Sequence, residues 1–284
     1  MADDGGSLPS GSEAARWWDL YEQLRRQIEE GHLNPGDHIP PERELVAQTQ
    51  FSRATVRRAL RELEQAGLIM AGAGSKGRTV RQRFRIEFDM SKFELGAYVD
   101  DPEQGIDQWK AGVRNAGWTD HQVVAGVDQL PAPRDIAEFL DVDPGQVVVR
   151  RRRLRSISKP DQGIPEMVAM IADTWTPMDI AEMKVNGRAP LLSPDDTTLP
   201  GGIYHALGFR QVKFIDRISA RMPTDEETEL MGLPPGTAVG QHARIGIDTT
   251  GRRVRVLVQT WAGDRQEITY EHDVPERRLP GDSQ

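Results

Sequence analysis

The sequence predicts two domains of different fold class: a mostly α-helical winged helix-turn-helix, then an α+β domain built on an antiparallel sheet. Three observations support this division. Apolar residues at helical spacing and a basic helix fill residues 13–82, Arg-rich strands lie beyond residue 106, and a helix–turn–strand unit occurs twice in the second part. A chain of 284 residues is long enough for two ordinary domains.

Composition restricts the classes of protein that fit. The net charge is −8, but the segment from Arg43 to Arg85 carries ten Lys or Arg against three Asp or Glu, so contact with nucleic acid must come from a local patch. The absence of cysteine excludes disulfides and cysteine-bound metals, and suits a cytoplasmic protein. The sequence shows neither a signal peptide nor an apolar run of about 18 residues. We expect no membrane contact, no metal and no cofactor.

The first domain begins with a predicted helix from Ala14 to Glu30, after a Gly- and Ser-rich stretch at residues 1–12 that we expect to be disordered. Gly31 ends this helix, and Leu33 to Asp37 form a turn. Its apolar stripe consists of Trp17, Leu20, Leu24 and Ile28.

A helix-turn-helix follows. A short helix from Glu42 to Gln48 is joined by three residues to a second helix that begins after Ser52, a good N-cap, and ends at Gly67. Arg53 lies in the first turn, where the helix dipole disfavours a cation, and an external phosphate would remove that conflict. A solvated basic face is the alternative. The basic face of the second helix consists of Arg53, Arg57 and Arg61.

A glycine-rich hairpin completes this domain. Residues 68–70 and 79–81 are strand-like and flank a small basic tip that can approach a sugar-phosphate backbone. Gly72 to Thr79 also differs by one residue from a phosphate-binding P-loop. That loop needs a helix after it and Lys where Arg78 stands, whereas a short strand is predicted here, which disfavours nucleotide binding.

These segments resemble the DNA-binding domain of the GntR family of bacterial transcription regulators. The resemblance rests on Leu33 to Leu45, Ser52 to Leu60 and Gly67 to Ile69. Pro41 stands where the family usually has a capping Ser, and Ala54 where Thr is common. The resemblance implies a recognition helix in the major groove and a wing on the backbone. The predicted DNA-binding residues are Arg43, Ser52, Arg53, Thr55, Arg57, Arg58, Gly74, Lys76 and Arg78.

The second domain contains an internal repeat with an offset of about 91 residues in the sequence. Residues 136–145 lead into a strand at 147–155, and residues 228–236 lead into a strand at 238–247. Thr224 and Glu227 have the spacing of a capping box before the second copy. Two such units predict one α+β domain whose halves are pseudo-symmetric around one sheet.

The strand from Val147 to Ile157 is unusually rich in arginine. Period-2 geometry places Arg151, Arg153 and Arg155 on one face, and Arg150 and Arg152 on the other. Partly buried cations need an anion. Either structural ion pairs with Asp or Glu, or a bound ligand, can supply it.

The last strand pair runs from Thr237 to Asp248 and from Val254 to Trp261. On the second strand, Arg255 and Trp261 share a face suited to a planar or anionic group, and the other face is apolar. An exposed sheet edge is the alternative interpretation.

Residues 106–275 resemble a UTRA domain, the effector-binding module of the HutC subfamily of GntR regulators. The resemblance rests on Arg151 to Arg155, Gly163 to Pro165, Arg217 to Thr224, Leu233 to Gly236 and Trp261 to Arg265. It implies a chorismate-lyase-like fold and a homodimer. Arg255 stands where Glu is common, which favours an acidic effector. The predicted effector-binding residues are Arg153, Arg155, Arg244, Arg255 and Trp261.

The sequence therefore predicts a ligand-responsive transcriptional repressor that binds a near-palindromic double-stranded operator, and no catalytic residues. Two alternatives remain: the second domain serves only for dimerisation, or it has a lyase-like activity. Scattered histidines and the absence of a nucleophile–base pair argue against an enzyme. The predicted boundaries are 13–82 for the DNA-binding domain, 83–105 for a linker, 106–275 for the UTRA domain and 276–284 for a tail.

Overall fold

The computed structural model divides the chain into two compact units. The first comprises Met1–Phe84 with Met222–Ala238, and the second comprises Arg85–Arg221 with Val239–Gln284. Among the described residues, no helix is long and apolar enough to cross a membrane. The structure describes residues 13–71, 77–81, 86–91, 108–162, 164–196, 199–234 and 236–271.

The first unit contains the predicted helix-turn-helix and its hairpin. Helices α1 (Glu13–Glu29), α2 (Glu42–Thr49) and α3 (Arg53–Gln65) precede strands β1 (Ile69–Ala71) and β2 (Arg78–Val80). The two strands pair antiparallel, so the predicted hairpin is confirmed. A strand, and no helix, follows the P-loop-like sequence, which therefore lacks the context of a phosphate loop.

Local sequence sets the helix ends in this unit. The Ser52 hydroxyl accepts a hydrogen bond from the Thr55 N–H at 3.1 Å, which caps α3 as predicted. Pro41 gives α2 no side-chain cap, and its carbonyl instead accepts from the backbone N–H of Leu45 at 3.0 Å. Gly67, with φ +64°, adopts the left-handed conformation that ends α3 at little steric cost.

One apolar core holds the three helices and the hairpin together. The side chains of α3 that enter it recur every three or four residues, so they form a single stripe on a helix whose other face is polar. Burial of this stripe orients α3 with its arginines outward. The core consists of Leu20, Leu24, Ile39, Leu45, Val56, Ala59, Leu60, Leu63, Leu68, Ile69 and Val80.

The remaining elements are a mixture of strands and short helices, as the second half of the sequence predicts. The helices are α4 (Gln108–Asn115), α5 (Arg134–Leu140), α6 (Met178–Ala181), α7 (Ile203–Ala206) and α8 (Asp225–Met231). The strands are β3 (Ile86–Asp89), β4 (Thr119–Pro131), β5 (Val147–Lys159), β6 (Ile164–Pro177), β7 (Gln211–Arg221), β8 (Val239–Asp248), β9 (Arg253–Ala262) and β10 (Gln266–Thr269).

Six strands form one antiparallel sheet in the order β4-β5-β6-β9-β8-β7. The repeated strands β5 and β8 each lie second from an edge, while β6 and β9 form the central pair. This order confirms the pseudo-symmetry predicted from the repeat. The capping box before β8 is also confirmed, since the Thr224 hydroxyl accepts from the Glu227 N–H and the Glu227 carboxylate accepts from the Thr224 N–H.

Apolar clusters lie on this sheet. Ile136 and Leu140 of α5 pack with Val148, Ile245 and Val256 of three different strands. A second cluster gathers α6 and α7 and the segment between them. It consists of Val149, Ile180, Ala181, Leu191, Tyr204, Leu207 and Val254.

A second, small sheet was not anticipated from the sequence. Strand β3 lies within the predicted linker and pairs in parallel with β10, with Ile86 opposite Gln266. The two strands are about 180 residues apart in the sequence. Local sequence patterns therefore carry no information about their pairing.

Candidate functional site

The α3 helix presents the predicted basic face to solvent. Arg53, Arg57 and Arg61 are exposed and recur once per turn. Arg43 of α2 is exposed as well. Arg43, Arg53 and Arg61 form no ion pair with any other described residue. Their charges are therefore available to an external anion.

Glu42 links two of the other arginines. Its carboxylate accepts from Arg57 Nε at 2.9 Å and from Arg78 Nη1 at 3.4 Å. Arg78 Nε also donates to Glu64 at 2.6 Å. The hydrogen bond from Arg57 is the main cause that lowers the pKa of the Glu42 carboxyl, and the charge of Arg78 adds to it. Glu42 thus stays ionised and positions Arg57 beside β2.

The remaining predicted DNA-binding residues differ in their exposure to solvent. Ser52 is exposed, but Thr55 is 3% exposed and its hydroxyl lies 2.8 Å from that of Ser52. Thr55 therefore stabilises the N-terminus of α3 through its hydrogen bonds with Ser52, and its side chain is buried. The Arg58 guanidinium lies 4.3 Å from the Trp17 ring centre. Gly74 and Lys76 lie outside the described residues, so their role at the wing stays a prediction.

In the second unit, the sheet register places all five predicted effector residues on one face. Arg155 and Trp261 both lie opposite Met170, on either side of β6. Arg153 precedes Arg155 by two residues and shares its face. Thr174 lies four residues after Met170 on β6 and therefore on the same face. It pairs with Leu257 of β9, and Leu257 pairs with Arg244 of β8, so Arg244 shares this face. Arg255 precedes Leu257 by two residues. We call this the arginine face.

The opposite face carries structural ion pairs. Arg152 donates two hydrogen bonds to Asp173, each at 2.8 Å, and Arg150 donates to Asp128 at 2.7 Å. For these two arginines the ion-pair interpretation is the correct one. The predicted separation of the five arginines onto two faces is confirmed.

Arg244 has a carboxylate of its own. Its Nε and Nη2 donate to the two oxygens of Asp216 at 2.7 and 2.9 Å, and His242 Nε2 lies 2.5 Å from the same carboxylate. Burial by itself raises the pKa of Asp216, but the hydrogen bonds from His242 and Arg244 outweigh it and lower this pKa strongly. Arg244 is thus held in a structural cluster with Asp216 and His242, and its contact with an effector stays a prediction.

Arg255 and Trp261 sit at two ends of one strand. Arg255 Nε donates to Gln211 Oε1 at 3.0 Å, and its guanidinium lies 5.0 Å from the Tyr204 ring centre. The Trp261 ring lies against Gly240 of β8, where an added Cβ would come within 2.5 Å of it. A glycine is therefore required opposite Trp261.

Two of the three β5 arginines of this face are buried, and the third is partly exposed. Arg151 is 1% exposed and Arg155 5%, and the Arg153 side chain is 15% exposed. Arg155 Nε donates to Gln122 Oε1 at 2.7 Å, and its guanidinium lies 5.1 Å from the Trp109 ring centre. Arg153 Nε lies 3.5 Å from Asp196.

Arg151 is enclosed by the loop that carries Asp196. Its guanidinium donates to the backbone carbonyls of Ser193 and Asp195. Burial lowers the pKa of Arg151 to about 10, and the charge of Arg153 adds to the effect. A cation in this state is stabilised by any anion that reaches it.

Sequence reasoning missed the residues that complete both sites. Glu42 follows Pro41 in a first helical turn, where an acidic residue is expected for the helix dipole alone. Lys110, Gln122 and Asp196 come from α4, β4 and a loop, and no spacing in the sequence relates them to β5. Their position depends on tertiary packing.

Two family models match the chain. One, described as bacterial regulatory proteins, gntR family, matches residues 19–76, and the UTRA domain model matches residues 121–267. The second match covers more than half of the 284 residues.

Individual proteins are similar along most of the chain. An uncharacterized HTH-type transcriptional regulator of Streptomyces coelicolor is 24% identical over 280 residues, covering 94% of this chain and 96% of that protein. The mannosyl-D-glycerate transport/metabolism system repressor MngR of Escherichia coli is 26% identical over 239 residues, covering 82% and 85%. A crystal structure of a GntR-family regulator has the same fold, with a TM-score of 0.54, 22% identity and coverage of 91% and 98%. These relatives are regulators, which confirms the prediction that the chain is not an enzyme.

Proposed function

The chain belongs to the GntR family of bacterial regulatory proteins and carries a UTRA effector-binding domain, and from this premise we propose a transcriptional repressor that an anionic effector releases from DNA. Membership of the family makes it a DNA-binding transcriptional regulator. The sign of regulation, the class of effector and the residues involved are the proposal.

The exposed arginines of α2 and α3 support the DNA-binding part. Arg53 stands at the N-terminal end of α3, the end that approaches base edges in helix-turn-helix complexes. Arginine suits the O6 and N7 atoms of guanine, so we expect G-containing half-sites. Arg43 and Arg57 flank it, and the hairpin tip with Gly74 and Lys76 contacts the phosphate backbone.

The arginine face supports the effector part and is the observation that carries it. Three arginines of one strand point to the same side, and two of them have buried nitrogen atoms, Arg151 Nη1 and Arg153 Nε, that lack a hydrogen-bond partner among the described residues. A buried cation with an unpaired donor is costly. A bound anion supplies the missing acceptors, which favours an acidic effector.

Repression is supported by a relative. MngR is named as the repressor of a mannosyl-D-glycerate transport/metabolism system, and it is similar over 82% of this chain. We propose the same sign of regulation here. A homodimer would place one α3 on each half of a near-palindromic operator, and the effector must bind one arrangement of the dimer more tightly than the other.

The decisive experiment is equilibrium binding of the purified full chain to DNA upstream of its own gene. We would measure fluorescence anisotropy at one fixed salt concentration, with and without extract of small metabolites. We expect tight binding that the extract weakens. Binding that no extract changes would contradict the ligand-responsive part, and absence of specific binding there would call for unbiased selection of DNA sites.

A second candidate is that the C-terminal domain serves only for dimerisation. It is favoured by one observation: the loop residue Asp196 already contacts Arg153, so the arginine face has an internal anion. Under this hypothesis no metabolite alters DNA affinity, and disruption of the dimer abolishes specific binding.

A further inference from the structure

We propose that Asp196 is a built-in occupant of the anion site, and that an anionic effector binds by displacing it. This inference rests on the proposed function of the arginine face. Beyond that function, it names Asp196 as the residue with which an effector competes, and it names the class of anion that can displace Asp196.

The contacts of Asp196 are those of a bound anion. Lys110 Nζ donates to its carboxylate at 3.1 Å, and Gln122 Nε2 lies 3.0 Å from each of its oxygens. Arg153 Nε lies 3.5 Å away. An amine, an amide and a guanidinium, from three different elements, thus converge on one carboxylate. Proteins hold phosphate and carboxylate groups with such donors.

Gln122 connects this carboxylate to the next arginine. Its amide nitrogen donates to Asp196, while its amide oxygen accepts from Arg155 Nε at 2.7 Å. The amide is therefore oriented with its donor toward the Asp196 position. If Asp196 leaves, Lys110, Gln122 and Arg153 keep donors directed at the vacated place.

Asp196 only partly balances the charge around it. Lys110, Arg151 and Arg153 bring three positive charges, against the carboxylate of Asp196 and the nearby charge of Asp195. Arg151 donates its hydrogen bonds to backbone carbonyls of the same loop. Within the part of the chain that the structure describes, Arg151 Nη1 and Arg153 Nε remain without hydrogen-bond partners. A group with two negative charges and more oxygen atoms than a carboxylate satisfies more of these donors. We therefore infer that the effector carries a phosphate monoester or a comparable dianion.

Asp196 is ionised while it occupies the site. Burial alone raises the pKa of its carboxyl, but hydrogen bonds from Gln122 and Lys110 and nearby positive charges outweigh it and lower this pKa. At neutral pH the effector thus competes with a full negative charge on the same chain. A tethered competitor reduces apparent affinity by the fraction of molecules in which the site is open.

The burial of the site makes displacement necessary. Arg151 and Arg155 are nearly inaccessible to solvent, the Arg153 side chain is 15% exposed, and the loop from Ser193 to Asp196 contacts Arg151 and Arg153 directly. A ligand reaches the Arg151 guanidinium only after this loop moves. The same movement takes Asp196 out of the site and gives a ligand access to Arg151, so a single loop movement has both effects.

The test uses inorganic phosphate as the probe and the full-length protein. Tryptophan fluorescence reports binding, because the Trp109 ring lies 5.1 Å from the Arg155 guanidinium, and the shift in melting temperature provides a second readout. Asp196→Asn should bind phosphate about tenfold more tightly than the original protein, because its competitor is neutral. Asp196→Ser should show the same increase in phosphate affinity as Asp196→Asn, and it provides a second variant if Asp196→Asn fails to fold.

Two controls separate this inference from general charge effects. Asp128→Asn removes a carboxylate paired with Arg150 on the opposite face of the sheet, and should leave phosphate affinity within about twofold of the original. Arg153→Gln, made in the Asp196→Asn background, should abolish phosphate binding.

The outcomes distinguish the inference from the proposed function. Equal phosphate affinity of the original protein and both Asp196 variants, lost in Arg153→Gln, would overturn the displacement model and leave the anion site intact. No phosphate binding by either Asp196 variant would overturn the model and also remove the anionic effector from the proposed function. Operator binding is measured separately and is unaffected by either result.

Discussion

The partner of each arginine decides its role in this protein. On β5, Arg150 and Arg152 face aspartates on neighbouring strands, and these pairs are complete within the sheet. Arg151 and Arg153 alternate with them in sequence but meet carbonyls and a loop carboxylate. Similar side chains of one strand thus divide into two groups because a strand alternates its faces. One group forms ion pairs within the sheet, and the other belongs to the arginine face, for which we propose effector binding.

The Asp216 carboxylate should be among the most important polar groups for stability. It pairs with Arg244, which is 4% exposed, and with His242, which is 1% exposed. Asp216→Asn leaves a buried cation without its counter-ion, and we expect the free energy of unfolding to fall by about 3 kcal/mol. Urea denaturation at pH 7 measures this change.

Asp179→Asn is the matched control for that substitution. Asp179 pairs with Arg252, but both side chains are largely exposed, and such pairs contribute at most about 1 kcal/mol. An equal loss of stability in the two variants would contradict the assignment of Asp216 to a buried structural cluster.

Asp216 also predicts a pH dependence of stability. Its pKa in the folded chain lies below its ordinary value of 3.8, so its stabilisation is fully present above that pH and is lost as the pH falls through the folded-state pKa. Between about pH 4 and pH 2, the original protein should therefore lose more stability than Asp216→Asn. Denaturant unfolding at a series of pH values checks this, and parallel curves for the two proteins would contradict it.

At the scale of the element, α3 has one face buried in the core and an opposite face exposed to solvent. Its buried stripe fixes the rotation of the helix, and the Ser52 cap fixes its start. Together they determine that Arg53 projects from the first exposed turn. Glu42 adds a tertiary constraint, because it holds Arg57 and Arg78 in place from α2.

Arg53→Ala should weaken operator binding while the fold is retained. Arg53 is exposed and makes no ion pair with other described residues, so its removal costs little stability. Loss of one base contact should raise the dissociation constant by about 10- to 100-fold, or about 1–3 kcal/mol. Fluorescence anisotropy with operator DNA at fixed salt measures the effect.

Arg26→Ala removes the same charge from the exposed surface of α1 and serves as the control. It should change operator affinity far less than Arg53→Ala. If the two variants weaken binding equally, the basic surface acts only through general electrostatic attraction, and α3 is not the reading helix.

At the scale of the whole molecule, the protein binds DNA against its net charge. The chain carries −8 overall, so attraction to phosphates depends on the local cluster of arginines in the first unit. This arrangement predicts a steep dependence of operator affinity on salt concentration, since each neutralised phosphate releases counter-ions.

The proposed dimer predicts the spacing of the operator. Two copies of α3 related by a twofold axis fit half-sites about one helical turn, or roughly 10 base pairs, apart. Insertion of about five base pairs between the half-sites rotates one of them to the opposite side of the duplex and should abolish specific binding. Insertion of about ten base pairs alters distance without this rotation and serves as the comparison in the same assay. Equal affinity for all spacings would contradict a symmetric dimer on DNA.

The sequence by itself determined the elements whose causes are local. The Ser52 cap, the α3 stripe, the Thr224 capping box and the alternation of the β5 arginines all depend on residues within a few positions of one another, and each appears in the structure as predicted. The repeat likewise predicted pseudo-symmetric halves around one sheet, and the strand order has that symmetry.

Only the tertiary structure decided which side chains meet. The pairing of β3 with β10, the link from Glu42 to Arg78, and the convergence of Lys110, Gln122 and Asp196 all join segments far apart in sequence. Periodicity gives the face on which a residue lies, but it carries no information about the partner across a long loop. The proposed anion site is therefore visible in the sequence as arginines on one strand, whereas the contact of Asp196 with Arg153 appears only in the folded chain.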